Sequence, residues 1–167
     1  MRWQIEPLGG GHDRSSFECS KPTLDTFLTR YASQYAKRNL ARTYVAVRPG
    51  ETRVVGYYSL SAAAIRVLDL PEPLAAKLPE HPVPAALLAR LAVDRTVHGQ
   101  GLGRLLIGDA LVRCFELSEH IGLHVVTVDA IDEEAVRFYE RMGFTRFRDQ
   151  SDKLFIPVSA IESGLPS

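Results

Sequence analysis

The chain has 167 residues, of which 46% are apolar and 24% charged; this is the make-up of an ordinary globular domain and excludes a disordered or fibrous chain. Twenty basic and twenty acidic residues cancel, so no net field draws in nucleic acid or an anionic membrane, and any polyanion contact must come from local clustering. The start, Met1-Arg2-Trp3-Gln4-Ile5-Glu6-Pro7, lacks the apolar run of a signal peptide, and no stretch of about 20 apolar residues follows, so a cytoplasmic protein without membrane contact is expected.

Leu24, Phe27, Leu28, Tyr31 and Tyr35 recur at helical spacing within residues 20–39, with Ser20 placed as a cap and Pro22 tolerated in the first turn. Residues 43–47 and 54–60 read as two β-rich runs joined through Pro49-Gly50, an antiparallel hairpin. Pro71, Pro73, Pro79, Pro82 and Pro84 then defeat a long helix and predict an extended excursion with at most short helical turns. An apolar strand over 85–93 stops at Asp94. Leu102, Leu105, Leu106, Ala110, Cys114, Leu117 and Ile121 form a helical stripe that starts inside a glycine-rich stretch and ends before Gly122. A strand at 125–128, a short helix over 132–142 stopped by Gly143, and strands at 144–147 and 154–158 complete the chain, leaving 162–167 as a loose tail. The order predicts an α/β (α+β) sandwich with a partly parallel sheet flanked by helices, in a single domain spanning 1–167.

Cys19 and Cys114 stand far apart, without His or Cys at metal-ligand spacing, so neither a zinc site nor a disulfide is signalled and no metal is expected. The chemistry concentrates after Asp94. Gly99, Gly101 and Gly103 lie at the mouth of a helix, where outward backbone N–H groups and the helix dipole can cradle phosphate. A tight strand-to-helix turn is the plainer alternative. The Lys-Ser/Thr of a nucleotide P-loop is missing.

Leu91-Ala92-Val93-Asp94 followed by His98-Gly99-Gln100-Gly101-Leu102-Gly103-Arg104 resembles the coenzyme A signature of the GNAT superfamily of N-acetyltransferases, and Ala135-Val136-Arg137-Phe138-Tyr139-Glu140-Arg141-Met142-Gly143-Phe144 is similar to that family's second motif. The resemblance implies the GNAT fold, acetyl-CoA as co-substrate, main-chain contacts from Leu91, Ala92 and Val93 to the pantetheine arm, and a diphosphate on the loop from His98 to Arg104. His98 departs from the usual Arg or Gln, and Asp132 stands where many members carry Asn. The resemblance also implies that an N–H of the strand near Leu91 to Val93 holds the oxyanion and that Tyr139 protonates the departing thiolate. A phenol with a pKa near 10 keeps its proton at neutral pH, as an acid must. Packing of Tyr139 beside Phe138 is the alternative. No Asp or Glu announces itself as a base, which leans toward an α-amine acceptor: peptide α-amines have a pKa of about 7.7–8.0 and aminoacyl esters lower still, so substantial free base exists without enzymatic help.

Across nearly its whole length the chain resembles the acetyltransferase toxins of bacterial toxin–antitoxin pairs, in Leu24-Asp25-Thr26-Phe27-Leu28, Val55-Gly56-Tyr57-Tyr58-Ser59-Leu60, Leu88-Ala89-Arg90-Leu91-Ala92-Val93-Asp94 and Phe138-Tyr139. That resemblance implies acetylation of the amino group of aminoacyl-tRNA, a block to translation, a ribbon-helix-helix antitoxin and a homodimer. Arg30, Lys37, Arg38, Arg42, Arg48 and Arg53 are interrupted only by Glu51 between Arg30 and Arg53, a local basic region that can meet phosphates despite the neutral total. Lys37, Arg38, Arg42 and Arg90, which alternates with Ala89 and Leu91 in the strand next to the cofactor, are the candidate substrate or RNA contacts. An acetyltransferase for a small amine or a protein N-terminus, and a non-catalytic module that senses acetyl-CoA, remain as alternatives.

Overall fold

The structure is a computed structural model that describes residues 2–148 and 152–164. Among the described residues seven strands form one mixed sheet in the order β1-β2-β3-β4-β5-β7-β6: β1 (Gln4–Pro7), β2 (Arg42–Val47), β3 (Gly56–Ile65), β4 (Val83–Val93), β5 (Val125–Asp129), β6 (Thr145–Arg146) and β7 (Lys153–Pro157). Contacts divide the chain into two compact units, Met1–Ser61 with Ala89–Ala110 and Ala62–Leu88 with Leu111–Ser167.

In the first unit the hairpin of β2 and β3 is antiparallel, with Val45 opposite Tyr57 and Thr43 opposite Ser59. β1, which sequence reading did not assign, pairs antiparallel with β2 from Gln4 opposite Val47 to Pro7 opposite Tyr44. It is one of the two edge strands, where a terminal proline, which has no N–H to donate, is tolerated. The helix expected at 20–39 is α1 (Pro22–Thr26), a π-helical segment Phe27–Tyr31 and α2 (Ala32–Lys37). Ser20 does not cap it: Ser20 lies at φ 75° and the capping position is Lys21. The turn is held instead by Asp25, whose carboxylate accepts from the Cys19 N–H at 2.9 Å. Phe27, Leu28 and Ala32 pack on Val45, Tyr57 and Ala92. Strand alternation puts Gly56 and Tyr58 on the opposite face of the sheet, where α4 (Leu102–Leu117) begins.

In the second unit β4 runs parallel to β5 from Ala85 opposite Val125 to Leu88 opposite Val128, and β7 continues antiparallel to β5. The proline-rich excursion holds only a 3-10 turn, Val67–Asp69, and α3 (Glu72–Ala75), as its composition dictates. Leu70 is buried there with Ala85, Val125, Phe147 and Phe155. α5 (Glu133–Arg141) opens on Asp132, whose carboxylate accepts from the Ala135 N–H at 2.9 Å, and closes before Gly143 at φ 101°, a left-handed stop that glycine takes without strain. The expected loose tail is helical as far as it is described: α6 (Val158–Gly164) follows β7 directly, and residues 165–167 lie outside the described residues.

Candidate functional site

The glycine loop hangs from a buried carboxylate. Asp94, 1% exposed, accepts from Thr96 Oγ1 at 3.2 Å and from the N–H groups of Thr96 and Glu18, each at 3.4 Å. Arg53 Nη2 stands 3.6 Å from the same carboxylate, and the Asp94 N–H donates to the Val55 carbonyl at 2.8 Å. Asp94 thereby caps the 3-10 turn Arg95–Val97 and fixes where the loop departs from β4. A buried carboxylate is tolerated only with this many donors and a cation around it.

Beyond it, Gly99 lies at φ 75° and Gly101 at φ 87°, and a Cβ at either position would meet nothing within 4 Å. The glycines are thus required by backbone conformation, and the space in front of them is open. Leu102 is the anchor: its side chain is buried, and a Cβ on Gly56 would come within 2.9 Å of its Cδ2 and 3.1 Å of Leu106 Cδ1. Gly56 lets the first turn of α4 settle directly on the sheet, a close approach that a glycine inside a strand can announce. The opening N–H groups of a sixteen-residue helix have no acceptor within it and carry the positive end of its dipole. Anchored below, open above and lined with amide donors, the turn suits a diphosphate.

Of the other loop residues, Gln100 is exposed and its Oε1 accepts from Arg2 Nη2. Arg104 is exposed on the first turn of α4, and Gly103 lies within that turn. His98 is exposed but turned back: its Nε2 stands 2.7 Å from the Val93 carbonyl, and since a carbonyl only accepts, that nitrogen carries the proton. On β4, Ala92 is buried against the α1–α2 side, while Leu91 and Val93 are half-buried and point the other way. These last residues of β4 run on beyond the positions paired with β5.

Tyr139 is 6% exposed. Its ring meets Phe138 and Phe144 edge-on, with centroids 5.4 and 5.5 Å away. Burial raises the phenol pKa well above its ordinary value and the charge of Asp129 adds to this, so the group keeps its proton throughout the physiological range. The Asp132 carboxylate, at the position where many family members carry Asn, acts as the N-cap of this helix.

The basic residues separate into distinct environments. Lys37 and Arg38 are exposed at the end of α2. Arg42 is exposed but tied to that helix end, donating to the Ala36 carbonyl at 3.0 Å and to Asn39 Oδ1 at 2.6 Å. Arg90 lies half-buried with its guanidinium carbon 3.7 Å from the Phe27 ring centroid and 5.6 Å from that of Tyr35, a cation–π stack that shapes this face of the sheet. Arg53, counted with the basic region in the sequence, faces inward to Asp94. Sequence reading missed Asp94 as the hub and Arg2 as a neighbour of the loop; a lone carboxylate and an N-terminal arginine give no periodic signal.

An open turn with two glycines at positive φ, at the head of a long helix that follows the end of a β-strand, is the arrangement expected of an acyl-transfer enzyme built on coenzyme A. Residues 12–144 match the acetyltransferase (GNAT) family, and the chain belongs to it. A tRNA-acetylating toxin of Mycobacterium tuberculosis (strain ATCC 25618 / H37Rv) is 39% identical over 137 residues, covering 82% of this chain and 81% of that protein. A solved tyrosine-to-phenylalanine mutant of KacT superposes with a TM-score of 0.94 at 30% identity, covering 98% of this chain and 99% of that one. AtaT has been solved complexed with acetyl-methionyl-tRNAfMet, with a TM-score of 0.90 at 31% identity over 96% of this chain and 98% of that one. A tyrosine-to-phenylalanine mutant of AtaT bound to the C-terminus of the antitoxin AtaR gives a TM-score of 0.85 at 27% identity, with 100% of each chain covered. The family resemblance read from the two glycine and tyrosine motifs and the mixed sheet flanked by helices are thus borne out.

Proposed function

We propose that this enzyme transfers the acetyl group of acetyl-CoA to the α-amino group of an aminoacyl-tRNA, removing that tRNA from translation. The observation that carries the reading is the open turn at Gly99 and Gly101 above the anchored Leu102, in a chain similar over four-fifths of its length to a tRNA-acetylating toxin. The amides from Gly99 to Arg104 hold the diphosphate, with His98 and Gln100 at the rim, and main-chain groups of Leu91, Ala92 and Val93 take the pantetheine arm. An N–H of that strand stabilises the oxyanion formed when the amine attacks the thioester carbonyl. As the C–S bond breaks, Tyr139 gives its proton to the sulfur, and the proton lost by the nitrogen restores the phenol, leaving an amide and a thiol. No side-chain base is needed, since the amine of an aminoacyl ester is substantially neutral near pH 7.

Lys37, Arg38 and Arg42 meet phosphates of the tRNA, and Arg90 shapes the acceptor side. Strands β3 and β4 and helix α4 each contribute residues to both compact units, which supports residues 1–167 acting as one acetyltransferase domain. The remaining proposals are a homodimer, neutralisation by a ribbon-helix-helix antitoxin and residence in the cytoplasm; among the described residues no helix is long and apolar enough to cross a membrane. Sedimentation showing a monomer overturns the dimer. The decisive experiment is mass analysis of tRNA-linked amino acids after incubation of charged tRNA with acetyl-CoA and the protein. N-acetylated aminoacyl ends are expected; turnover of free amines with charged tRNA inert overturns the acceptor.

A further inference from the structure

The N-terminus brings a cation to the loop. Arg2 precedes β1 in sequence, yet its Nη2 donates to Gln100 Oε1, 98 positions away. Its guanidinium carbon lies 4.6 Å from the centroid of the Trp3 ring, and Trp3 is buried, so the plane beneath the guanidinium is a fixed part of the core. Exposed arginines ordinarily sample many rotamers; stacking and this bond hold this one in place. A guanidinium has five N–H donors. Gln100 takes one of them, and among the described residues no carboxylate forms an ion pair with Arg2.

Gln100 lies between Gly99 and Gly101, the two positions whose left-handed backbone opens the turn. The arginine therefore stands at the edge of the same turn whose two glycines have open space where a Cβ would stand. Amide donors neutralise a phosphate only partially, and a guanidinium adds full charge and a planar fork matched to phosphate oxygens.

We infer that Arg2 binds a phosphate of coenzyme A, with Gln100 aiming it rather than touching the cofactor through its own side chain. The inference rests on the proposed cofactor site and adds to it a residue outside the family's loop. Coenzyme A offers two such groups, the diphosphate and the 3′-phosphate, and the ligand series below separates them.

The test titrates coenzyme A and dephospho-coenzyme A into the full-length protein and into Arg2→Ala. The exposed position of Arg2 leaves the fold undisturbed, which equal Tm values without ligand confirm. Arg2→Ala is expected to weaken coenzyme A roughly tenfold, the scale of one charge-assisted bond at a solvated site, and the ratio should shrink as salt is raised. With dephospho-coenzyme A the ratio falls to about one if the 3′-phosphate is the partner and stays near tenfold if the diphosphate is. Equal affinities of the two proteins for both ligands overturn the inference. So does a loss that extends equally to acetyl transfer from S-acetylpantetheine, which carries no phosphate. A parent protein that binds no coenzyme A at all overturns the cofactor reading instead, before Arg2 comes into question.

Discussion

The glycine loop ahead of α4 and the tyrosine on α5 are built from opposite materials. In the proposed site the loop acts through main-chain amides: two glycines at positive φ have open space where a Cβ would stand, and Leu102 and Asp94 are buried as anchors. At Tyr139 the proposal rests on the side chain itself, packed against Phe138 and Phe144 with its ionisation suppressed by burial. A backbone cradle tolerates changes of side chain but not of conformation. A buried phenol tolerates changes of its surroundings but not loss of its hydroxyl. Substitutions in the loop should therefore be felt in KM for acetyl-CoA, and those at the tyrosine in kcat.

The sharpest test of that division is Tyr139→Phe. Removing a general acid from a thioester transfer lowers kcat by about 10²- to 10⁴-fold, with KM for acetyl-CoA expected to stay within about twofold. Unchanged kcat on charged tRNA would place the proton elsewhere. The same residue constrains the pH profile. Because its pKa is raised, Tyr139 stays protonated as pH climbs, so kcat/KM should rise toward about pH 8 as the acceptor amine loses its proton, with no alkaline fall by about pH 9 in initial rates. A descending limb in that range would mean that the acid is a group with a lower pKa.

Next comes Gly101→Ala. A Cβ meets nothing there, so the cost is conformational, about 1–2 kcal/mol for a left-handed non-glycine residue. Either the turn keeps its shape and stability falls, or it relaxes and KM for acetyl-CoA rises roughly tenfold; kcat at saturation should hold. A collapse of kcat with KM intact would break the comparison.

The same contrast explains what was legible in the sequence. Periodicity found the long helix α4, the hairpin of β2 and β3, and β4 stopping at Asp94, but it carried the helix too far: α4 ends at Leu117, and of its expected stripe Leu105, Leu117 and Ile121 are exposed. Glycines at the mouth of α4 announced the cradle because few other residues adopt its backbone. β1 passed unseen because its four residues, Gln4–Pro7, carry one large apolar side chain, Ile5, and the strand pairs with β2, about forty residues on, which no local window contains. Ser20 looked like a cap, yet Asp25 reaches back to Cys19 and leaves Ser20 in a left-handed turn; local propensity lost to a competing carboxylate five residues on. Asp94 and Arg2 act through contacts with Glu18, Arg53 and Gln100, distant in sequence, which no window of neighbouring residues contains.

Two milder substitutions test where loop and tyrosine get their support. Gly56→Ala adds a methyl 2.9 Å from Leu102 Cδ2. Overpacking of that kind costs about 1–3 kcal/mol and should tilt the first turn of α4, raising KM for acetyl-CoA a few-fold while Tyr139 is untouched. A stability loss with KM unchanged would mean that the loop is held by Asp94 alone.

Asp132→Ala probes the other side. If the carboxylate serves only as N-cap to α5, through its bond to the Ala135 N–H, unfolding free energy falls by about 1 kcal/mol and KM for acetyl-CoA does not move. Asp132→Asn, which keeps an acceptor oxygen, should restore most of that stability. If KM rises with Asp132→Ala and Asp132→Asn recovers it, the residue touches the cofactor directly, and the tyrosine helix then takes part in binding as well as in proton transfer. The division between a backbone that binds and a side chain that reacts would then have to be redrawn at the first turn of α5.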